Sequence, residues 1–187
     1  VTSVIANPPT VDFDVTMITA AQRIFSGMSN FTLIAIPFFI LAGNIMNQGG
    51  IAEKLVNLAL RMLGKVPGSL LHTNIMGNAM FGAISGSATA AAAAIGGVMN
   101  EQERKAGYDI HLGAAANIAS APTGLLIPPS NTLITYSLVS GGTSVAALFL
   151  AGYIPGILWA IGCSIVALSI AKKQGYKGSF EKFSFKA

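Results

Sequence analysis

The sequence has very little charge for its length. Only 10% of its 187 residues are Asp, Glu, Lys or Arg, against about 25% in an ordinary soluble domain. A soluble protein of this size needs a larger polar surface than these residues provide. Hydrophobic residues make up 52% and the mean hydropathy is +0.64, so the composition predicts a chain that lies in lipid.

Cysteine is almost absent as well. Cys163 is the single one and lies in an apolar run, which excludes a disulfide framework or a cysteine metal cluster within the chain. The net charge of +4 does not indicate nucleic-acid binding, because the basic residues flank apolar blocks and do not cluster with aromatic residues. The sequence has no initiator Met and no signal peptide, so we expect it to be a fragment of a longer protein.

Apolar segments and their interruptions predict an all-α polytopic membrane protein. A Gly/Ser-rich run at 82–90 interrupts the apolar stretch 69–101 and leaves arms of about 14 to 16 residues, or roughly 21–24 Å, which are short for a membrane span. We therefore expect a re-entrant hairpin with its tip at Ser85–Ser87. The five lysines after Ala171 place that end in the cytoplasm, and a hairpin then puts ten of the eleven basic residues on the same side.

Six regions follow from these segments. They are a connecting segment with an amphipathic surface helix (1–30), a span with an interfacial helix (31–68), the re-entrant hairpin (69–104), a discontinuous transmembrane helix (105–141), a transmembrane helix (142–173) and a basic cytoplasmic tail (174–187). Pro37 is expected to kink the first span.

The discontinuous helix is predicted from its three prolines, Pro122, Pro128 and Pro129. A proline cannot donate to the carbonyl four residues earlier. Three carbonyls are thus expected to lose their helical partners, those of Ile118, Gly124 and Leu125. Unsatisfied carbonyls at membrane depth are costly unless they line a cavity or bind a ligand.

The predicted membrane interior carries no Asp, Glu, Lys or Arg. Proton-coupled carriers usually work through such a group or a histidine, and the titratable candidates His72, Asp109 and His111 are expected to face the cytoplasmic membrane edge. What remains near the tip and the break is neutral oxygen from hydroxyls, amides and freed carbonyls. These neutral oxygen ligands favour the binding of a hard monovalent cation such as Na⁺.

Several features have alternative interpretations. The helix that begins at Ala88–Ala94 points its N-terminus at the tip, where it would attract an organic anion, or it is only a close-packing face. Asn74 and Asn78, one helical turn apart, either line the path of a solute or hydrogen-bond between helices. Ser85 and His72 are not expected to form a protease site, because no base is apparent within reach of the hydroxyl, and we predict no enzyme activity.

Four motifs in order resemble the large membrane (M) subunit of tripartite ATP-independent periplasmic (TRAP) transporters, over a region from about Ala21 to Lys173. They are Ala35-Ile-Pro-Phe-Phe-Ile-Leu-Ala-Gly-Asn-Ile-Met-Asn-Gln-Gly-Gly-Ile, Phe81-Gly-Ala-Ile-Ser-Gly-Ser-Ala, Ile127-Pro-Pro-Ser and Ala147-Leu-Phe-Leu-Ala-Gly-Tyr-Ile-Pro-Gly. The resemblance implies the N-terminal half of an inverted-repeat, elevator-type transporter of the bacterial inner membrane. In that scheme 14–64 belong to the scaffold and its arm helix, and 69–140 to the moving transport domain.

The resemblance also implies function and partners. It implies Na⁺-driven import of an organic acid, of the C4-dicarboxylate or sialic acid type, that a periplasmic solute-binding protein delivers. The other implied partners are a small four-helix membrane subunit, the C-terminal half of the same subunit and the lipid bilayer. The chain departs from the family in having only alanines at 88 and 90–94, where members often carry an acidic residue. The alternatives are a Na⁺/dicarboxylate symporter that needs no binding protein and a non-transporting membrane scaffold.

Site residues are carried over by motif. One Na⁺ site would be formed by Ser85, Gly86, Ser87, Thr123, Gly124, Leu125 and Ser130. The solute would lie beside it, against Asn78, Ser87, Ala88, Thr89, Pro128 and Asn131. Na⁺ is the only cofactor that we expect.

Overall fold

The computed structural model describes residues 13–29 and 31–178. Every element within these two ranges is a helix, as the sequence predicts. In chain order they are α1 (Phe13–Met28), α2 (Phe31–Gln48), α3 (Ile51–Leu63), α4 (Ser69–Ser85), α5 (Ala88–Lys105), α6 (Ile110–Ser120), α7 (Thr123–Leu126), α8 (Asn131–Val139) and α9 (Val145–Gln174). Most of the predicted connecting segment before α1 and of the predicted basic tail lies outside the described residues.

The chain divides into two compact units, Val1–Ala35 and Ile36–Ala187. The first unit contains α1, an amphipathic helix, and the first residues of α2. The large apolar side chains of α1 are exposed, namely Val15, Met17, Ile18, Ile24 and Phe25. An apolar helix face without protein cover is typical of helices that lie on a membrane surface.

Helix α4 lies at the centre of the second unit. It packs against α3, α5, α6, α7 and α9, and most of its residues are buried. The core around it is apolar and includes Val56, Leu70, Leu71, Ile75, Phe81, Ala91, Ile95 and Met99. Because α4 is covered on nearly every side, the residues at its C-terminal end are held in a fixed position.

One described helix, α9, is long and apolar enough to cross a membrane by itself. Two bent pairs of helices also qualify if each counts as one span, which gives up to three candidates among the described residues. The first pair, α2 and α3, bends by 73°, and the second, α6–α7 and α8, bends by 49°. Both α2 and α9 continue through an internal proline, Pro37 and Pro155 respectively. Leu150, Ile154 and Leu158 of α9 are exposed, as contact with lipid or further helices requires.

Candidate functional site

The hairpin tip is a two-residue turn between α4 and α5. Gly86 has a left-handed backbone, with φ 65° and ψ 17°, a conformation that glycine adopts without steric cost. Its N–H donates to the Gly82 carbonyl over 2.7 Å and so closes the end of α4. The buried Ser85 hydroxyl lies 3.4 Å from both the backbone nitrogen and the carbonyl oxygen of Ser87. The tip therefore has a defined backbone path with several oxygens close together.

Ser87 is the N-cap residue of α5. Its hydroxyl oxygen accepts from the Ala90 N–H over 3.3 Å and lies 3.0 Å from the Thr89 hydroxyl. A serine at this position satisfies one of the free N–H groups at a helix start, so the predicted anion-attracting N-terminus is partly capped by its own chain. Ala88 is half-buried and Thr89 is exposed beside it.

The prolines divide the predicted discontinuous helix into α6, α7 and α8, with two connections between them. At the first connection the fully buried Thr123 hydroxyl donates to the Ser120 carbonyl over 2.7 Å. The proton of the Thr123 hydroxyl is therefore used in the bond to the end of α6. Only the lone pairs of its oxygen remain to bind another ligand. At the second connection Pro128 is buried and the Pro128–Pro129 peptide bond is cis.

Ser130 organises the second connection. Its hydroxyl accepts from the Leu133 N–H over 3.3 Å, which caps α8, and it donates to the Leu125 carbonyl over 2.5 Å. The expectation that Pro129 leaves the Leu125 carbonyl without a partner is therefore wrong. A side-chain hydroxyl five residues later replaces the backbone donor that the proline lacks.

The tip and the break are in direct contact. The Asn131 N–H donates to the Gly86 carbonyl over 3.2 Å. A Cβ on Gly82 would lie only 2.2 Å from the Gly124 Cα, so the two backbones can touch because neither residue has a side chain. A Cβ on Gly86 would likewise lie 2.9 Å from the Pro129 carbonyl oxygen. Two segments that the sequence predicts from separate patterns thus meet at one place.

One acceptor at this junction has no described partner. Asn131 Oδ1 is buried and makes no hydrogen bond within the part of the chain that the structure describes. It would lie 3.5 Å from a Cβ placed on Gly86. Leaving a buried acceptor unsatisfied costs about 1–3 kcal/mol, and a cation or a hydrogen-bond donor from a ligand would remove that cost.

A cavity of about 350 Å³ opens between α2 and the tip. Its lining residues are Phe39, Ile40, Gly43, Asn44, Ser85, Ser87, Thr89 and Ala90, none of which is charged. Gly43 allows α2 to approach the tip, since a Cβ there would lie 3.2 Å from the Ser85 Cβ. Asn44 is missing from the residues predicted from the sequence. An amide among the mostly apolar residues of the C-terminal half of α2 was the signal that would have identified it.

Asn78 is fully buried at the interface between α4 and α6. Its Nδ2 lies within hydrogen-bond distance of three side-chain oxygens, at 2.8 Å from Asn117, 2.9 Å from Ser120 and 3.1 Å from Asn74. Asn117 in turn donates to the Ala92 carbonyl of α5 over 2.9 Å. These bonds favour the interpretation of Asn74 and Asn78 as a contact between helices. A contact of Asn78 with the solute remains a prediction.

The titratable residues occupy different environments. Asp109 and His111 are exposed at the start of α6, but His72 is only 6% exposed, so the expectation that it faces the membrane edge is wrong. His72 is buried because the neighbouring helices cover α4 as far as the first turn of that helix. Glu103 is 3% exposed, although its sequence neighbours make a polar patch. Within the described residues, no three His, Cys, Asp or Glu side chains are arranged to hold a metal ion.

The sequence matches one protein family over residues 2–186, the family described as "Tripartite ATP-independent periplasmic transporter, DctM component". The chain is also 58% identical over 172 residues to the uncharacterized protein YgiK of Salmonella typhimurium. The aligned region covers 92% of this chain and 39% of YgiK.

Two further relatives carry functional names. The sialic acid TRAP transporter large permease protein SiaM of Vibrio cholerae is 44% identical over 157 residues, 84% of this chain and 36% of its own length. The C4-dicarboxylate TRAP transporter large permease protein DctM of Rhodobacter capsulatus is 35% identical over 171 residues, 84% of this chain and 39% of its own length. The chain therefore spans well under half the length of these relatives.

Proposed function

The chain belongs to the DctM component family of tripartite ATP-independent periplasmic transporters, and we propose that it is part of the large subunit of a Na⁺-coupled importer of an organic acid. Members of this family are membrane transport permeases and not enzymes. Because the chain spans 36–39% of the length of these relatives, the transport activity is proposed for the whole subunit.

The contact between the hairpin tip and the break carries the Na⁺ part of the proposal. It gathers neutral oxygens where two helices are interrupted, an arrangement that holds Na⁺ in transporters with discontinuous helices. The proposed ligands are drawn from the hydroxyls of Ser85, Ser87, Thr123 and Ser130 and from the backbone of Gly86, Gly124 and Leu125. The partnerless Oδ1 of Asn131 supports a cation at this junction, because a carbonyl oxygen of an amide is a hard ligand.

The solute is proposed to bind next to the ion as a carboxylate. The relatives are named for sialic acid and for C4-dicarboxylates, and both classes carry carboxylate groups. The start of α5 at Ala88 and Thr89 supports this choice, because the positive end of a helix dipole attracts anions. Pro128 and Asn131 would line the other side of the solute.

The hairpin is proposed to re-enter the membrane and to move together with the break in an elevator motion. The Asn131–Gly86 hydrogen bond and the Gly82–Gly124 contact support a joint movement, because parts that share packed backbone do not shift separately at low cost. The moving domain would comprise 69–140, and 14–64 would belong to the scaffold. The proposed partners are a periplasmic solute-binding protein, a small four-helix membrane subunit and the C-terminal half of the same subunit.

Uptake by the full-length transporter in proteoliposomes tests this proposal. We expect accumulation of radiolabelled sialic acid or succinate only when a Na⁺ gradient and the binding protein are both present. Uptake without Na⁺ would contradict the coupling. Uptake without the binding protein would favour the symporter that acts alone, and no uptake of any organic acid would favour a scaffold.

Alanine substitutions at the two caps test the ion site. Ser87→Ala and Ser130→Ala are each expected to raise the Na⁺ concentration for half-maximal uptake about tenfold, equivalent to ~1.4 kcal/mol, with a smaller change for the solute. Ser144→Ala is the control, because Ser144 caps α9 in the same way, by accepting from the Ala147 N–H over 3.4 Å, and is exposed. An unchanged Na⁺ dependence in both site variants would exclude these two hydroxyls as ligands.

A further inference from the structure

Glu103 is a buried carboxyl group that the proposed ion site does not use. It belongs to the last turns of α5, and its side chain turns inward to the contact between α4 and α6, where it is 3% exposed. Asn74 of α4 donates to its Oε1 over 3.0 Å. On the other side its Oε2 lies against the backbone of α6, since a Cβ on Gly113 would lie 2.0 Å from that oxygen.

No cation pairs with this carboxyl among the described residues. Within residues 13–29 and 31–178, the hydrogen bond from the neutral Asn74 amide is the polar contact of its side chain. By contrast, Glu101 on the same helix is exposed and forms an ion pair with Lys105 over 2.6 Å. Ten other titratable or charged residues belong to the elements around Glu103, which are its own helix, the turn that follows and the helices packed against it. They are Glu53, Lys54, Arg61, His72, Glu101, Arg104, Lys105, Tyr108, Asp109 and His111.

The surroundings of Glu103 fit the protonated form. An ionised carboxylate loses far more hydration on burial than a neutral carboxyl group does, and one neutral amide does not replace that hydration. The bond from Asn74 leaves Oε2, which packs against α6 at Gly113, as the oxygen that would hold the proton.

The same carboxyl begins a hydrogen-bonded chain that runs through the interface. Asn74 Oδ1 accepts from Asn78 over 3.1 Å, and Asn78 also lies 2.9 Å from the Ser120 hydroxyl. Ser120 is the last residue of α6 before the break. Ionising Glu103 would therefore place a charge at one end of a buried polar chain whose other end lies at the break.

We propose that Glu103 is a proton-binding site buried between the hairpin and α6, and that it links the strength of this helix contact to pH. The site holds its proton in the conformation of this structure. When the contact opens, the Oε2–H bond breaks, the proton passes to water and a carboxylate remains. The inference goes beyond Na⁺-coupled import and is independent of it.

Infrared spectroscopy of the full-length transporter in lipid nanodiscs tests the proposal without any transport step. At neutral pH we expect the C=O stretch of a protonated carboxyl in the wild-type protein, shifted in D₂O and absent from Glu103→Gln. Glu101→Gln, the control on the same helix, should keep the band. Identical spectra of wild type and Glu103→Gln would overturn the assignment. Should Glu103→Gln fail to fold, Asn74→Ala must shift the band, because its amide donates to this carboxyl, and an unshifted band would equally overturn it.

Thermal unfolding across a pH series provides a second readout. As the pH rises, the exposed Glu103 carboxyl of the unfolded chain loses its proton before the buried Glu103 carboxyl of the folded protein does. Folding then requires the uptake of a proton, which becomes less favourable as the pH rises further. The melting temperature of the wild type relative to Glu103→Gln is therefore expected to fall as pH rises. A difference that stays constant with pH would overturn the proposal.

Discussion

Replacing Gly82 with alanine is expected to abolish uptake by the full-length transporter and to lower its stability by about 1–3 kcal/mol or more. The new Cβ would lie 2.2 Å from the Cα and 2.9 Å from the backbone nitrogen of Gly124. Main-chain atoms cannot swing aside as the end of a flexible side chain can, so α4 and α7 would have to move apart. That movement would also separate Gly86 from Asn131 and open the proposed ion site.

Gly97→Ala is the matched control for this substitution. Gly97 lies within α5, and a Cβ there would meet nothing within 4 Å. Its stability is expected to stay the same or to rise slightly, because alanine is the better helix former. Thermal unfolding in detergent and solute uptake under an imposed Na⁺ gradient compare the two variants. A Gly82→Ala protein that melts and transports like Gly97→Ala would contradict the contact between the hairpin and the break.

Replacing Asn78 with alanine is expected to destabilise the protein by about 1–3 kcal/mol. The Asn78 amide lies between the side-chain oxygens of Asn74, Asn117 and Ser120 in a fully buried interface. Its loss would leave at least one of these acceptors without a donor and without water. The interface that joins the hairpin to α6 would weaken as a result.

Asn57→Ala controls for the loss of an asparagine from a helix. Asn57 is exposed on α3, so its replacement is expected to change stability by about 0.5 kcal/mol or less. The measurement is the unfolding temperature of the two variants in the same detergent. If the two shifts are equally small, Asn78 does not hold the interface together.

The interruptions of the helices were predictable from the sequence because glycine and proline act locally. A Gly-Ser pair between two apolar arms predicted the turn at Gly86, and three prolines predicted the division of α6–α8. The same local reasoning was wrong about the carbonyl of Leu125. A carbonyl that has lost its backbone donor can still accept from a side chain, and the Ser130 hydroxyl donates to this one.

The burial of Glu103 was missed although the sequence contains its signal. Glu101 and Lys105 are four residues apart and share the outer face of α5, where they form an ion pair. Glu103 is rotated by roughly 200° from Glu101 around the helix, onto the face that carries the fully buried Met99. Helical periodicity therefore separates the run 101–105 into an exposed face and a buried face.

Composition and local chemistry by themselves determined that this chain is helical, that it belongs in lipid, and where its helices break. Such features depend on the nature of each residue and its near neighbours along the chain. The family resemblance implied that the tip meets the break, but only the tertiary structure decided how, because the contact joins Gly82 to Gly124 across a long stretch of chain and requires that neither residue has a side chain. It also decided the position of Glu103 against Asn74, since an inward-facing position gains its partners only when other helices pack around it.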